Sequence, residues 1–309
     1  MTESNHIADP LVLHCAPMSN PPNSLPANGQ SPGALYLVGT PIGNLEDISL
    51  RALRILKEVG LIACEDTRQT QKLLNHYGIE KRTTSYHEHN ELTRAAELIM
   101  QLEQGQSIAL VTDAGTPGIS DPGYRLVALA IRHRIPVVPI PGPSAFLSAL
   151  VASGLPTDSF RFGGFLSAKS GQRRAMFESI RNSPRTQIFY EAPHRIVAAL
   201  EDLVDVLGPE RHVVIAREVT KLHEEFLRLQ AAEALAELKA RPEIRGEITL
   251  LIGKAEEQGQ PAVEQKNARA RVQDLMQLEK LDQREAMKRV AKEMGLSKSE
   301  VYRKLQREK

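Results

Sequence analysis

One segment limits the folds open to this chain more than any other: residues 110–123 read LVTDAGTPGISDPG. A short apolar run ends there in a loop with three glycines, two prolines and two aspartates. Glycine has no Cβ and proline fixes φ, so such a loop turns tightly and lets its backbone approach a ligand. Since α/β folds bind ligands at the carboxyl ends of their strands, the segment predicts an α/β ligand-binding protein.

Composition favours two or three globular domains. The 309 residues are 41% hydrophobic and contain no apolar run long enough to predict a membrane span. Cys15 and Cys64 stand far apart without further Cys or His at metal spacing, so we expect free thiols in a reducing cytoplasm, with neither disulfide nor metal site. Residues 1–33 are rich in Pro, Asn, Ser and Gly, lack a signal-peptide pattern and are predicted to be a disordered tail.

Strand and helix patterns alternate over residues 34–155, which predicts an N-terminal domain with a largely parallel sheet. Apolar runs predict strands at 34–38, 61–64, 108–112 and 137–140. Helical periodicity predicts helices at 48–59, 69–77 and 124–133, with Asp47 as the cap of the first. Ser144 is expected to cap a further helix that ends near Gly154.

A second α/β domain is predicted over residues 156–253, followed by a polar linker over 254–265. Its strands are expected at 160–166, 187–190, 212–216, 226–229 and 248–252. Residues 266–309 hold 13 Lys or Arg against 7 Asp or Glu, a balance of +6, while the rest of the chain sums to −5. Helical patterns at 270–281, 282–294 and 298–306 make this segment a basic helix-turn-helix-like module. A nucleic acid is its expected partner, through Arg303 and Lys304 among others, and a helical packing cap is the alternative.

The glycine loops lack the common nucleotide-binding motifs. Gly39 and Gly43 are separated by three residues that include Pro41, unlike G-x-G-x-x-G, and no G-x-x-x-x-G-K-[ST] occurs. Loops at 39–44, 113–118 and 141–145 are expected to converge at one edge of the sheet. Backbone groups, Asp113 and Ser144 could there hold a cofactor with an amino-acid end, a ribose and an adenine. Plain tight turns are the alternative.

Six strings carry a family resemblance: LVGTPIGNLED (37–47), CEDTR (64–68), TDAGTPGISDPG (112–123), PGPSA (141–145), YEAPHR (190–195) and REVTK (217–221). In this order they resemble the motifs of bacterial methyltransferases of small-subunit ribosomal RNA, within the tetrapyrrole-methylase superfamily. The resemblance extends from about residue 34 to residue 306. It implies two α/β domains of the tetrapyrrole-methylase type, a cofactor cleft between them and usually a homodimer. It also implies S-adenosylmethionine as methyl donor, and the ribose 2′-hydroxyl of a decoding-centre cytidine in 16S rRNA, free or in the 30S subunit, as acceptor.

The matched motifs suggest which residues form the site. The expected cofactor contacts are Pro41, Asp113, Ala114, Gly115, Ser144, Ala145, Tyr190 and Thr249. A ribose hydroxyl is a poor nucleophile until a base takes its proton, and candidate catalytic residues are Glu191, His194 and Asp66, with Glu65 and Glu218 also in the motifs. Each of the first three has a structural alternative. Glu191 and His194 would open and cap a helix, and Asp66 would pair with Arg68.

Basic residues surround the glycine-rich strand end at 163–164 and are candidate RNA contacts: Arg161, Lys169, Arg173 and Arg174. A solvated basic loop is the alternative. His87 and His89 lie in a polar stretch that predicts an exposed loop.

Two other functions are left open by the residues. A methylase of a tetrapyrrole precursor would share the cofactor fold, but it would have different loops and no need of a basic module. A ligand-sensing helix-turn-helix regulator would use that module to bind duplex DNA.

Overall fold

The computed structural model describes residues 32–255, 272, 275–276 and 281–293. Short apolar strands of the first half form a five-stranded sheet in the spatial order β3-β2-β4-β1-β5. These strands are β1 (Leu35–Val38), β2 (Leu61–Cys64), β3 (Thr83–Ser85), β4 (Ile108–Leu110) and β5 (Val137–Ile140). Every pairing in the sheet is parallel, which confirms the predicted parallel sheet. The carboxyl ends of all five strands therefore lie at one edge.

Helices cover both faces of this sheet, and β2 and β4 are therefore buried on both sides. The helices of this half are α1 (Leu50–Glu58), α2 (Thr67–His76), α3 (Glu91–Glu103), α4 (Tyr124–Arg132) and α5 (Ala145–Ser153). Apolar side chains of α1 and α2 pack on one face, and those of α3 and α4 pack on the other. Ser49 caps α1 by accepting a hydrogen bond from the Ala52 N–H, so the expected cap Asp47 was wrong; Asp47 ends a short 3-10 turn.

The second half forms a mixed sheet in the order β6-β7-β10-β8-β9. Its strands are β6 (Phe160–Phe165), β7 (Thr186–Glu191), β8 (His212–Arg217), β9 (Glu225–Gln230) and β10 (Ile248–Ile252). β6 and β7 are parallel, and the other pairings are antiparallel. All five predicted strands are confirmed to within one or two residues at each end.

Helices α6 (Ser170–Ile180), α7 (Ile196–Leu207) and α8 (Ala231–Lys239) pack on one face of the second sheet. The other face is covered by α5, whose buried Ala149 and Leu150 share a cluster with Ile188 and Leu251. Helix α5 thus starts at the carboxyl edge of the first sheet and packs on the second.

The described part of the C-terminal segment contains α9 (Gln283–Glu293), inside the predicted helix 282–294. Its buried residues, such as Ala286 and Val290, share an apolar cluster with Val272 and Leu275. The predicted helix at 270–281 is only partly described, and the one at 298–306 lies outside the described residues. None of the described helices has the length and hydropathy that crossing a membrane requires.

A buried ion pair joins α6 to α7. Arg173 is 4% exposed, and its Nε donates to Asp202 Oδ2 at 2.8 Å. The same guanidinium donates to the carbonyls of Ser167 and Ala198, so its donors are satisfied by protein groups. Burial alone would raise the pKa of Asp202, but hydrogen bonds from Ser170 and Arg173 and the charge of Arg173 hold that pKa below its usual value.

Substituting Asp202→Ala should lower the free energy of unfolding by about 3–5 kcal/mol, because the Arg173 charge stays buried without its partner. Urea denaturation measures this loss. The matched control is Asp205→Ala, which removes a carboxylate that binds Arg174 in solvent and should cost below about 1 kcal/mol. Equal losses in the two variants would contradict the role of burial.

Candidate functional site

Three loops at the carboxyl edge of the first sheet are bound to one another, as expected. The Thr40 N–H donates to the Gly115 carbonyl at 2.8 Å, and the Gly115 N–H donates to the Thr40 carbonyl at 3.0 Å. The Thr116 hydroxyl donates to the Pro143 carbonyl at 3.2 Å. Gly39 and Gly142 pack backbone to backbone, since a Cβ on Gly39 would lie 2.9 Å from Gly142 Cα. These contacts confirm that the loops converge.

Between this edge and the second sheet lies a cavity of about 370 Å³. The first half contributes Ile42, residues 112–116 and 119–121, Ser144 and Ala145. The second half contributes Phe165, residues 190–193, Val219 and residues 246–249. Because β10 pairs with β7 so that Thr249 lies opposite Tyr190, adjacent strand ends form one continuous wall.

Most of the expected cofactor contacts meet in this cavity. Seven of the eight line it: Asp113, Ala114, Gly115, Ser144, Ala145, Tyr190 and Thr249. Pro41 is buried outside the lining, and its neighbour Ile42 lies in the wall instead. That these residues bind a cofactor stays a prediction, but they form a single enclosed surface.

The cavity is acidic. Its described lining includes four carboxylates, Asp113, Asp121, Glu191 and Glu247, and no Lys or Arg. Two of the four have cations behind them: Arg195 Nη2 lies 2.9 Å from Glu191 Oε1, and Lys221 Nζ lies 3.0 Å from Glu247 Oε2. A cationic ligand group is the complement of such a wall.

Glu191 also holds an unsatisfied acceptor. It is 2% exposed, and its Oε1 accepts from the Ala192 N–H at 2.7 Å. Among the described atoms, its buried Oε2 has no hydrogen-bond partner. Leaving a buried acceptor unpaired costs free energy, which a donor on a bound ligand would recover.

Two side chains of the lining have shifted pKa values. Burial, together with the charges of Glu65 and Asp113, raises the pKa of Asp121 to about 6, against a hydrogen bond with Thr112 that lowers it. Burial also raises the pKa of Tyr190. The Tyr190 ring packs edge-on against Phe162 and Phe165, which makes this side of the cavity aromatic.

The three catalytic candidates do not lie together. Glu191 is the last residue of β7, whereas α7 begins at Ile196 with Arg195 in the N-cap position. The expectation that Glu191 and His194 open and cap that helix was therefore wrong. His194 is exposed and outside the lining.

Asp66 also lies outside the lining. It caps α2 and pairs with Arg68 at 2.9 Å, and the hydrogen bond from Arg68 lowers its pKa. This geometry agrees with the structural alternative for Asp66. Its backbone N–H donates to Asp113 Oδ1 at 3.2 Å, which gives Asp66 an indirect link to the cavity.

The basic candidates for RNA contact differ in their exposure. Arg173 is not exposed to a phosphate, which corrects the expectation, because its guanidinium is buried and pairs with Asp202. Arg174 is partly exposed and lies 3.0 Å from Asp205, while Arg161 and Lys169 are exposed. Arg303 and Lys304 lie outside the described residues.

Sequence reasoning missed several lining residues, namely Ile42, Phe165, Val219, Glu247 and Asp121. Ile42, Asp121 and Val219 stand within the quoted motifs, and Phe165 follows the glycine pair at 163–164, so proximity in sequence could have suggested them. Glu247 carries no such signal. It reaches the cavity because it immediately precedes β10, which pairs with β7.

The sequence matches the family described as Tetrapyrrole (Corrin/Porphyrin) Methylases over residues 34–235. A relative named ribosomal RNA small subunit methyltransferase I from Halalkalibacterium halodurans is 48% identical, over 87% of this chain and 93% of the relative. A relative of the same name from Mesorhizobium japonicum is 53% identical, over 75% of this chain and 79% of the relative. Another from Synechocystis is 46% identical, over 87% of this chain and 96% of the relative.

Solved structures share the fold at low identity. Uroporphyrin-III-C-methyltransferase from Thermus thermophilus aligns with a TM-score of 0.52 at 22% identity, over 72% of this chain and 95% of that one. Diphthine synthase aligns with a TM-score of 0.57 at 15% identity, over 72% of this chain and 90% of that one. These likenesses confirm the two-sheet architecture predicted from the motifs. By sequence and by fold, the chain belongs to the tetrapyrrole methylase family and, within it, to the ribosomal RNA small subunit methyltransferase I family.

Proposed function

We propose that this protein transfers the methyl group of S-adenosylmethionine to the ribose 2′-hydroxyl of a decoding-centre cytidine in 16S rRNA. The observation that carries the proposal is the acidic cavity between the two sheets, which brings together seven of the eight residues expected to contact the cofactor. The relatives' name, ribosomal RNA small subunit methyltransferase I, supports RNA as the acceptor rather than a tetrapyrrole.

The residues present fit this cofactor. S-adenosylmethionine supplies a methyl group on a positively charged sulfonium, and it carries ammonium and hydroxyl donors. Four carboxylates and the unpaired Glu191 Oε2 offer acceptors and negative charge to such a molecule. Ser144 occupies the N-cap position of α5 without a capping bond from its side chain, so its hydroxyl is free to bind a ligand.

Positioning is the main contribution expected of this chain, because methyl transfer needs an in-line approach of the acceptor oxygen. The bonded loops at Thr40, Gly115 and Pro143 fix one wall, and Tyr190 with Glu191 fixes the other. Arg195 pairs with Glu191 Oε1, and the unpaired Oε2 is left to accept a hydrogen bond from a ligand.

The RNA is proposed to contact exposed cations of the second domain and the basic segment 266–309. Arg161, Lys169 and Arg174 remain candidates in the body, and Arg303 and Lys304 in the segment. Phosphate contacts of this kind supply affinity and orientation rather than sequence choice. The +6 balance of the segment against a body of opposite sign supports this division of roles.

A homodimer is the proposed assembly. Exposed apolar side chains occur on α5 and on the neighbouring β6: Leu147 and Val151 on the helix and Phe160 on the strand. β6 is also an edge strand of the second sheet. Apolar side chains on an edge strand and a neighbouring helix favour contact with a second copy.

The cytoplasm is the proposed location, because ribosomal RNA is the substrate and Cys64 is a buried free thiol whose pKa burial raises. A buried neutral thiol of this kind is inert toward oxidation.

Incubation with methyl-labelled cofactor should label small-subunit RNA, and digestion to nucleosides should recover the label in 2′-O-methylcytidine. Purified 30S subunits, naked 16S rRNA and a porphyrin precursor are compared in parallel. Label on the porphyrin alone, or label on a base instead of a ribose, would contradict the proposed acceptor.

Filling the cavity should block the cofactor without unfolding the chain. Ala114 is exposed and lines the cavity, so Ala114→Leu should weaken S-adenosylmethionine binding at least tenfold while leaving the melting temperature within about 2 °C. Isothermal titration calorimetry measures the affinity. Ala198→Leu, on the exposed face of α7, is the matched control and should bind normally.

Removing residues 266–309 should weaken RNA binding at least tenfold and make the salt dependence of binding shallower, because fewer phosphates are neutralised. Cofactor affinity should not change. Filter binding at several salt concentrations tests this, together with the double substitution Arg303→Gln and Lys304→Gln in the full chain. Unchanged RNA affinity with a lower melting temperature would identify the segment as a packing cap instead.

A further inference from the structure

Asp121 lies where the two walls of the cavity meet. Its neighbour Ser120 lies near β6: the Ser120 hydroxyl oxygen is 3.5 Å from the position that a Cβ on Gly164 would take. Tyr190, on β7, is close enough to Asp121 that the negative charge of the aspartate helps to raise the pKa of the tyrosine. A side chain at this junction is therefore placed to contact a ligand that spans both walls of the cavity.

The other three lining carboxylates already have partners. Glu191 pairs with Arg195, Glu247 pairs with Lys221, and Asp113 accepts from the Asp66 N–H. Among the described residues, Asp121 interacts with the Thr112 hydroxyl but with no Lys, Arg or backbone N–H. Asp121 is therefore the lining carboxylate that no cation or backbone N–H of the described residues contacts, which leaves it available to take a proton.

The backbone next to Asp121 is strained at Ser120. Ser120 has φ of +62°, and glycines with φ of +83° and +153° stand on either side at Gly118 and Gly123. A non-glycine residue at positive φ costs free energy and is kept where the surrounding structure requires it, most often at functional sites. This turn fixes the direction in which the next residue points.

Charges around Asp121 tune its acidity. Burial and the charges of Glu65 and Asp113, which follow β2 and β4, raise the pKa of Asp121 to about 6, and the charge of Asp121 in turn raises the pKa of Tyr190. A general base works best when its pKa is close to the working pH. At pH 7 to 8, Asp121 is ionised yet more basic than an ordinary aspartate.

We propose that the carboxylate of Asp121 accepts the proton of the RNA hydroxyl during methyl transfer; this inference rests on the proposed function. As the bond from the hydroxyl oxygen to the methyl carbon forms, the carbon–sulfur bond breaks, the electron pair stays on sulfur as a neutral thioether, and the proton passes to Asp121. The Thr112 hydroxyl interacts with Asp121 and donates to Glu65 Oε2 at 3.3 Å.

The test is Asp121→Asn, which keeps the size of the side chain and removes its basicity. Single-turnover methylation of the RNA should slow about 10²–10⁴-fold. The wild-type rate should rise with unit slope up to a pH near 6, and the variant should lose that limb. Asp158→Asn, an exposed aspartate outside the lining, is the matched control and should retain the wild-type rate and pH profile.

Two readouts do not depend on turnover. Carbon-13 NMR of labelled aspartate carboxyls should show one resonance that titrates near pH 6 and is absent in Asp121→Asn. Cofactor affinity should fall far less than the methylation rate, because the other three lining carboxylates remain. The melting temperature at pH 8 should be equal or higher, because the substitution removes an unfavourable charge. A raised folded-state pKa means that the ionised carboxylate destabilises the fold above that pKa, which fixes this sign.

The proposed role of Asp121 would be overturned if Asp121→Asn methylates RNA within threefold of the wild-type rate, or if its pH–rate profile still rises up to a pH near 6. Either result would leave the proposed function of the protein standing. A loss of cofactor affinity as large as the loss of rate would also overturn the role of Asp121. A wild-type protein that methylates none of the RNA substrates would overturn the proposed function, and the role of Asp121 with it.

Discussion

The geometry of the site depends on one helix that belongs to both halves of the molecule. Helix α5 begins at Ser144, in the loop that follows β5, and its buried face packs on the second sheet through Ala149 and Leu150. Because its first turn lines the cavity, packing that stabilises the domain contact also sets the separation of the two walls. A change in that packing would displace the walls together with the groups they carry.

The charged side chains near the cavity are also arranged around its two walls. Carboxylates face the cavity, while Arg195 and Lys221 stand behind two of them. Neither cation lines the cavity, so the wall itself presents carboxylates, which complement a cationic ligand. Asp121 lacks such a cation and is the lining carboxylate whose pKa moves toward neutrality. Chemically similar groups of the lining thus differ in their partners, and this difference is the basis for proposing a separate role for Asp121.

Much of this arrangement can be predicted from sequence, and the exceptions have physical reasons. Strands β2, β5 and β10 are bounded by clear apolar runs, and their predicted limits agree with the structure. β3 and α3 were not predicted, although Ala95, Leu98 and Leu102 fall on one buried helical face and provided a signal. The burial of Arg173 was not predictable in this way, since Asp202, its partner, lies on another helix. Local pattern identifies loops and strand ends, but which side chains meet depends on pairing between distant elements.

Backbone strain on both walls indicates how firmly the site is held. Ser120 lines one wall at positive φ, and Glu218 and Thr220, with φ of +54° and +70°, flank Val219 in the other. Positive φ is especially unfavourable for a β-branched residue such as threonine, so the turn must be stabilised by its contacts. The Lys221 stem supplies one of them: a Cβ on Gly43 would lie 2.2 Å from its Cγ, and its ammonium binds Glu218 and Glu247. The strained turn of the second domain thereby rests directly on the first glycine loop. Since only glycine leaves room for that stem, the glycine at position 43 serves contact between the domains as well as the turn of its own loop.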